Sequence, residues 1–281
     1  MRELHVDLIV EAVARLAVEA NCRLPEDLYA GLCARQELDP SPVGRDMLAQ
    51  IIENADLAAR EMEPICQDTG FAVVFADVGQ DLHIVGGLLS DAINSGVAKG
   101  YTEGWLRKSM VAEPLMERCN TGNNTPAMLH VRLVEGDRLH LTLAPKGAGS
   151  ENKSGLIMLT PADGLEGVKR AVVSIVDKAG SSPCPPMSIG VGLGGTMDMA
   201  AVLAKRASAR AFGSRNPDPR YAALEQELLD LINGLGLGPQ GLGGETTAMA
   251  VHIEFCATHI ACLPVAVNIN CHAARHAHTA L

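Results

Sequence analysis

The first part of the chain carries apolar side chains at the spacing of an amphipathic helix. Between Val6 and Ala17 they recur every three to four residues, a period that gathers them on one face of a helix. Pro25 precedes a second short helix, and Ser41-Pro42 supplies a cap and first turn for a third. The pattern therefore predicts a helical N-terminal region over residues 1–62.

Beyond residue 64 the pattern changes, and strand-like apolar runs alternate with polar, glycine-containing loops. Residues 71–78 form one apolar run. Residues 128–134 and 139–143 alternate apolar with polar positions on either side of Glu135-Gly136-Asp137, which predicts an antiparallel hairpin with one buried face. We also expect strands at 248–255 and 263–269, and helices at 86–99, 103–118, 164–178, 196–212 and 219–233.

The chain shows no internal repeat, linker or low-complexity tract. At 281 residues it is long enough to bury a sizeable core. We therefore expect residues 1–281 to form a single catalytic domain of the mixed α/β class, in which the helical N-terminal region is followed by a mixed sheet packed by helices.

Composition and charge exclude several classes of protein. Lys and Arg number 23 against 33 Asp and Glu, and aromatic residues make up 3%. The chain thus lacks the basic surplus and the stacking rings of a nucleic-acid binder. No apolar run approaches the roughly 18 residues of a membrane span, and the N-terminus lacks the apolar segment of a secretion signal. We expect a cytoplasmic protein without a membrane partner, whose eight cysteines are not disulfides.

The eight cysteines separate into two groups by context. Four lie in predicted helices or in an apolar stretch, where a buried inert thiol is the usual role: Cys22, Cys33, Cys256 and Cys262. Four lie in polar loops: Cys66, Cys119, Cys184 and Cys271. Loops of this kind suit iron–sulfur ligation, because glycine- and proline-rich backbone can approach a cluster and point amides at its sulfurs. The absence of a C-x-x-C pair argues against a zinc ribbon, a ferredoxin-type cluster or a thioredoxin-like pair.

Three thiolate ligands instead of four would leave one iron of a cluster open. An open iron is a Lewis acid that can bind a carboxylate and a hydroxyl together, which suits hydration and dehydration of hydroxy acids. Asp68 lies two residues after Cys66, and Arg107 is a candidate clamp for a substrate carboxylate. His259 lies in an apolar segment, where a histidine is more often a core residue than a catalytic one.

A glycine-rich segment offers a competing interpretation. Residues 190–195 satisfy G-x-G-x-x-G and precede a predicted helix, as in dinucleotide-binding proteins. However, the prolines of the preceding segment do not predict a strand, and no second strand ends in an acidic residue about 20 residues later. A dinucleotide-binding oxidoreductase is therefore a minor alternative, beside a non-catalytic scaffold subunit. Close helix–strand packing or an anion at the helix N-terminus explains these glycines equally well.

The loops, considered together, resemble those of class I fumarate hydratases, the iron–sulfur fumarases and tartrate dehydratases. The similarity runs from about residue 40 to the C-terminus, and its motifs are CQDTG (66–70), LRKSMV (106–111), RCNTGNNTPA (118–127), PKGAGSENKS (145–154), PCPP (183–186), GSRNPDPRYAALE (213–225), GLGPQGLGG (236–244), THIACLPVAVNINC (258–271) and HAARH (272–276).

This resemblance implies a [4Fe–4S] cluster with one open iron, held by Cys66, Cys184 and Cys271 and not by Cys119. It implies Asp68 and His259 as catalytic residues and Gln67, Arg107 and Gly149 as contacts to a dicarboxylate substrate. The implied reaction is the reversible hydration of fumarate to (S)-malate.

The resemblance also implies a partner. Single-chain members of the family carry a further domain that supplies the proton-transfer group, so this chain resembles the alpha subunit of a two-subunit form. We expect a beta subunit to provide the general base within a hetero-oligomer. Tartrate dehydratase alpha subunits share CQDTG and the later motifs, so L(+)-tartrate is the alternative substrate, while the stretches NTGNNTPA and SENKS are more like those of fumarases.

Overall fold

The computed structural model describes residues 2–281, which divide into two compact units. The first unit consists of residues 2–24, Ala55–Ala148 and Arg275–Leu281, and the second of Pro25–Asn54 and Gly149–Ala274. Both units combine helices with a four-stranded mixed sheet, so the α/β class is confirmed. That residues 1–281 act as one catalytic domain remains a prediction.

The helical N-terminal region is confirmed. Helix α1 spans Val6–Cys22, α2 Glu26–Leu38 and α3 Pro42–Glu61. The cap predicted for α3 forms as expected, since the Ser41 hydroxyl accepts the Gly44 N–H at 3.1 Å. A short strand, β1 (Arg2–His5), precedes α1 and pairs in parallel with β3 (Leu82–Val85).

In the first unit, α1 packs closely against α4 (Leu89–Glu103). The close approach depends on glycines of α4, because a Cβ built at Gly96 would lie 2.6 Å from Val13 Cβ and one at Gly100 would lie 2.7 Å from the Ala14 oxygen. Both helices contribute to a core shared with the first sheet.

The first sheet corrects the predicted hairpin. Its strands are β2 (Phe71–Gly79), β4 (Met128–Val134), β5 (Leu139–Lys146) and β10 (Ala277–Ala280), in the order β10-β5-β2-β4. Strands β4 and β5 run antiparallel, but β2 lies between them, parallel to β4 and antiparallel to β5. The reason is burial: β2 is apolar and almost wholly buried, so it occupies the centre, while β4 is an edge strand with Val131 and Leu133 more than half exposed.

The helix predicted over 103–118 is wrong. Helix α4 ends at Glu103, and the following segment is irregular apart from one antiparallel bridge between Val111 and Asn120. Gly104 closes α4 and Pro114 interrupts the segment, so its apolar residues do not form a continuous helix face.

The second sheet consists of β6 (Gly155–Leu159), β7 (Met187–Leu193), β8 (Ala248–Phe255) and β9 (Leu263–Asn270), in the order β6-β9-β7-β8. Around it lie α6 (Gly164–Ala179), α7 (Met197–Ala207) and α8 (Pro219–Asn233), and the short α5 (Ala148–Glu151) precedes β6. Apolar side chains of α6 and α8 share the core of this sheet. The predicted α8, β8 and β9 are confirmed, and α7 is shorter than expected.

Strand β7 explains the glycine pattern at 190–195. Gly190 and Gly192 lie within the buried strand and not in the turn that follows it. A Cβ at Gly190 would lie 2.0 Å from the Ala204 oxygen, and one at Gly192 would lie 2.0 Å from the Ala200 oxygen, so both glycines let α7 approach the strand. Helix–strand packing is thus the role that these two glycines fill.

Within residues 2–281, no helix combines the length and the apolar character that crossing a bilayer requires.

Candidate functional site

Cys66 lies in a tight loop, residues 66–70, that leads into β2. Its sulfur accepts the backbone N–H of Asp68 at 3.4 Å, and its thiol donates to Gln67 Oε1 at 3.3 Å. Gly70 has a φ of 66°, and a Cβ there would lie 2.4 Å from the Lys146 oxygen. Only glycine permits this turn beside β5, so the loop holds Cys66 at the beginning of β2.

The Asp68 carboxylate accepts two backbone N–H groups. Oδ1 accepts from Gly70 at 3.0 Å, and Oδ2 accepts from Ala148 at 2.9 Å. The first bond closes the Cys66 loop, and the second ties it to the segment that follows β5. Asp68 therefore joins two of the predicted site segments, and its ionised form suits both bonds because a carboxylate is purely an acceptor.

Buried polar side chains donate hydrogen bonds to the backbone carbonyls of the same loop. The Tyr101 hydroxyl donates to the Thr69 carbonyl at 2.8 Å, and Asn124 Nδ2 donates to the Gly70 carbonyl at 3.0 Å. Burial raises the pKa of Tyr101 to about 12, although a hydrogen bond with Asn21 and the charge of Arg275 oppose the shift. The phenol therefore stays protonated near neutral pH and keeps its donor role.

The Arg107 backbone is attached to this loop, whereas its side chain is exposed. Thr69 Oγ1 donates to the Arg107 carbonyl at 2.9 Å. Asn124 Oδ1 accepts the N–H groups of Ser109 and Met110, at 2.7 and 3.2 Å. The backbone of the irregular segment is thus anchored, which leaves the Arg107 guanidinium available for an anion.

Arg275 is buried and only partly paired. Its Nη2 donates to the Asp68 carbonyl, and its exposed fraction is 3%. Its Nε and Nη1 atoms have no hydrogen-bond partner within the described chain. The Cys66 loop therefore has a buried positive charge beneath it, which favours nearby negative charge.

In the second unit, Cys184 and Cys271 lie at the same end of the sheet. Cys184 precedes β7 and Cys271 follows β9, and these antiparallel strands pair Ser188 with Asn270. The backbone N–H of His272 donates to the Cys184 carbonyl at 3.1 Å. Cys184 is exposed and has a φ of 56°, so its side chain projects from a strained turn. Two predicted ligand segments are thus brought together.

Gln240 fastens this pair of segments from the second glycine loop. Its backbone N–H and its Nε2 both reach the Pro185 carbonyl, at 2.9 and 2.8 Å. Nε2 also lies 3.1 Å from His272 Nδ1. The GLGPQGLGG motif therefore positions the segments that carry Cys184 and Cys271.

The segment that contains Gly149 lies at the same end of the second sheet. A Cβ added at Gly149 would be 4.0 Å from the Ser182 carbonyl. Glu151 forms a salt bridge with Lys205 at 2.6 Å and accepts Asn268 Nδ2 at 2.9 Å. These contacts hold the backbone around Gly149, which is exposed.

His259 lies elsewhere in the second unit, on the loop between β8 and β9. It is exposed and not part of a core. Its Nδ1 accepts the Ala261 N–H at 3.1 Å, so a neutral imidazole presents Nε2–H outward. The loop lies at the opposite end of the strands from Cys184 and Cys271.

The three predicted ligands fit an iron–sulfur cluster by their chemistry. All are cysteines without a disulfide, Cys66 receives an N–H of the kind that tunes cluster sulfurs, and the unpaired Arg275 donors suit an anionic group. Across residues 2–281, no three His, Cys, Asp or Glu side chains lie close enough together to form a metal site.

The fold and the site together describe an α/β protein in which cysteine-bearing turns and polar loops with hydrogen-bonded backbone lie at the ends of strands. The chain belongs to the fumarate hydratase (Fumerase) family, whose model matches residues 10–280. It is accordingly a hydro-lyase enzyme.

Curated relatives extend over nearly the whole chain. A Methanocaldococcus jannaschii protein, provisionally named L(+)-tartrate dehydratase subunit alpha, is 41% identical over 274 residues, which cover 96% of each chain. The L(+)-tartrate dehydratase subunit alpha of Escherichia coli strain K12 is 32% identical over 274 residues, 96% of this chain and 89% of the relative.

Sequence reasoning missed several residues that position the site, above all Tyr101, Asn124, Gln240 and Arg275. Tyr101 and Asn124 act through buried hydrogen bonds to backbone far away in sequence. For Asn124, Gln240 and Arg275 the available signal was the family motif in which each lies. Their residue types alone carried no signal, because polar and charged residues are common in exposed loops.

Proposed function

We propose that the chain is the alpha subunit of an iron–sulfur hydro-lyase that reversibly hydrates fumarate to (S)-malate, a reaction of the tricarboxylic acid cycle. The observation that carries the proposal is the match to the fumarate hydratase family across residues 10–280, a range that contains Cys66, Cys184 and Cys271. The stretches NTGNNTPA and SENKS favour fumarate as the substrate.

Cys66, Cys184 and Cys271 would hold a [4Fe–4S] cluster. Once bound, such a cluster with an open iron supplies a Lewis acid for the carboxylate and hydroxyl of the substrate. The exposed Cys184 and the half-buried Cys66 and Cys271 are accessible to iron and sulfide. The proposal places the protein in the cytoplasm, where thiols stay reduced.

The polar residues would bind and orient the dicarboxylate. Arg107 would hold a substrate carboxylate through a bidentate guanidinium, and the Gln67 amide and the Gly149 backbone would donate to its other oxygens. Asp68 would hold the backbone of the Gln67 loop through its bonds to Gly70 and Ala148, and His259 would donate through Nε2. The general base would come from a beta subunit.

L(+)-tartrate is the second candidate substrate. The names of the relatives in M. jannaschii and E. coli favour it. The same carboxylate clamp serves both substrates, since each has two carboxylates on a four-carbon chain.

The test is anaerobic purification of the chain with its beta subunit, followed by measurement of iron, acid-labile sulfide and the rates on fumarate and L(+)-tartrate. We expect one cluster per chain and faster turnover of fumarate. Faster turnover of tartrate would establish the second candidate. A protein that takes up no iron on reconstitution would contradict the cofactor.

A further inference from the structure

Asp39 is a buried carboxylate that contacts neither substrate nor cluster in the proposed function. It lies directly after α2 and is 3% exposed. Its Oδ2 accepts the Thr246 backbone N–H at 2.9 Å and the Thr246 hydroxyl at 2.6 Å, across 207 residues of sequence. Its Oδ1 accepts the Ser41 N–H at 3.0 Å. The carboxylate thus attaches the segment that follows the glycine loop of residues 236–244 to the turn between α2 and α3.

The surroundings of Asp39 favour its charged form. Burial alone would raise the pKa of the carboxyl, but the hydrogen bonds from Thr246 and Ser41 outweigh burial and lower the pKa below its ordinary value. Two glycines leave room for the carboxylate, because a Cβ at Gly44 would lie 2.8 Å from Oδ1 and one at Gly244 would lie 2.9 Å from it. Hydrogen bonds to an ionised acceptor are roughly twice as strong as neutral ones, so this attachment is a firm one.

Thr247 connects this attachment to the base of the glycine loop. Its Oγ1 accepts the Gly238 N–H at 3.1 Å, and its carbonyl accepts the Met187 N–H at 2.9 Å. The two ends of the loop are joined by the bond from the Gly243 N–H to the Leu237 carbonyl at 2.9 Å. The loop is therefore closed on itself and held at its base, next to the beginning of β7.

The glycine loop contacts the Cys184 turn at its middle as well as at its base. Gln240, in the middle, donates twice to the Pro185 carbonyl and lies 3.1 Å from His272 Nδ1. The contact at the base is made to Met187, three residues after Cys184. Because both contacts belong to one closed loop, a shift of the loop at its attachment moves the turn that carries Cys184.

We propose that Asp39 is a positioning residue for Cys184: its carboxylate fixes the glycine loop, and the loop fixes the turn from which Cys184 would bind the cluster. The inference rests on the proposed function, which gives Cys184 its role as a ligand. Asp39→Asn removes the attachment selectively, because the NH₂ group of the amide would face an N–H donor in either orientation, that of Thr246 or that of Ser41.

Hydrogen–deuterium exchange of the full chain, purified with its beta subunit, tests the attachment without turnover. In Asp39→Asn, peptides that contain Gln240 and His272 should exchange about tenfold faster or more, while α6 keeps its wild-type rates. Thr246→Val loses one of the two donors to Oδ2 and should show a smaller effect at the same peptides; it decides the matter if Asp39→Asn fails to fold. Asp46→Asn, at an exposed position of α3, should change nothing.

Two results of this exchange experiment would overturn the proposal. One is wild-type exchange at Gln240 in the Asp39 variant. The other is equal acceleration in α6, because Asp39 would then stabilise the unit as a whole and not the glycine loop in particular.

Iron release tests the consequence for Cys184. The reconstituted complex is mixed anaerobically with an excess of an iron chelator, and the loss of iron is followed over time. Asp39→Asn should release iron severalfold faster than wild type, whereas Thr246→Ser, which keeps the hydroxyl, should match wild type. Release at the wild-type rate from Asp39→Asn would overturn the proposal. A wild-type complex that binds no iron would instead contradict the proposed function, and exchange at Gln240 would still decide whether Asp39 positions the loop.

Discussion

The carboxylate of Asp68 accepts the backbone N–H of Ala148 at 2.9 Å, across 80 residues of sequence. This bond joins the loop that carries Cys66 to the beginning of the segment that carries Gly149. Oδ1 also accepts the Gly70 N–H. Asp68 therefore holds the backbone of the loop before β2 and of the segment after β5. Asp68, which is predicted to be catalytic, thus also connects two backbone segments through hydrogen bonds.

Asp68→Asn should therefore affect both stability and turnover. The amide can accept only through its oxygen, and its NH₂ would face a backbone N–H donor at one of the two positions. We expect a loss of about 1–3 kcal/mol in the free energy of unfolding, with a large fall in kcat. Urea unfolding and steady-state kinetics measure the two effects. Asp56→Asn, on the exposed face of α3, is the control; an equal loss there would show that Asp68 has no special role.

Cys184→Ser should remove most of the iron that the reconstituted complex binds, because a serine hydroxyl is a poor ligand for iron–sulfur clusters. Cys119→Ser, in an exposed loop, and Cys33→Ser, in α2, should retain wild-type iron and sulfide. The measurement is iron and acid-labile sulfide per chain after anaerobic reconstitution. Full cluster content in Cys184→Ser would refute the ligand assignment.

Gly190→Ala should destabilise the second unit. The new methyl group would lie 2.0 Å from the Ala204 oxygen, so α7 must move away from β7, at a cost of roughly 1–3 kcal/mol or more. Gly213→Ala is the matched substitution, because a Cβ there meets no atom within 4 Å. Thermal unfolding should separate the two variants clearly, and similar melting temperatures would contradict the packing role of Gly190.

His252 should make stability depend on pH. Burial, followed by the charge of Arg210, lowers the pKa of His252 below its ordinary value. As the pH falls below about 6.5, the unfolded chain binds a proton that the folded chain does not, so stability is lost on acidification. The slope attributable to His252 is at most about 1.4 kcal/mol per pH unit.

The comparison is urea unfolding of wild type and His252→Gln between about pH 8 and about pH 5.5. The variant should lose less stability over this range than wild type does. His278→Gln, at an exposed histidine, should keep the wild-type dependence. If the stability of the variant fell with pH as steeply as that of wild type, His252 would not be the source of the pH dependence.

Local signals predicted much of the fold. Helix α8 begins and ends where expected, because Asp218 caps its N-terminus and Pro219 suits the first turn. Strand β7 escaped prediction, since its two glycines and the prolines before it argue against a strand until α7 is known to pack over them. The misplaced hairpin has a similar cause: only the burial of β2 decides that it lies between β4 and β5.

In the candidate site, too, local sequence predicted some residues and tertiary packing decided others. Loop context separated Cys66, Cys119, Cys184 and Cys271 from the other four cysteines, and only the family resemblance selected three of these as ligands, which remains a prediction. The structure does place the segment of Cys184 beside that of Cys271, through the bond from the His272 N–H to the Cys184 carbonyl. Arg275 was not predicted, because an arginine near the C-terminus has the pattern of a surface residue. Its burial against the Asp68 carbonyl is a tertiary fact that no local pattern encodes.

Strand β10 has a consequence for the order in which the protein is made. It completes the first sheet by pairing Ala277 with Leu143, and Arg2 reaches the Leu281 carbonyl at 2.9 Å. All of residues 149–274 must leave the ribosome before this strand exists. During translation β5 therefore has an open edge, the kind of surface that chaperones shield and aggregates exploit. The first unit, although it holds the N-terminus, is the last to close.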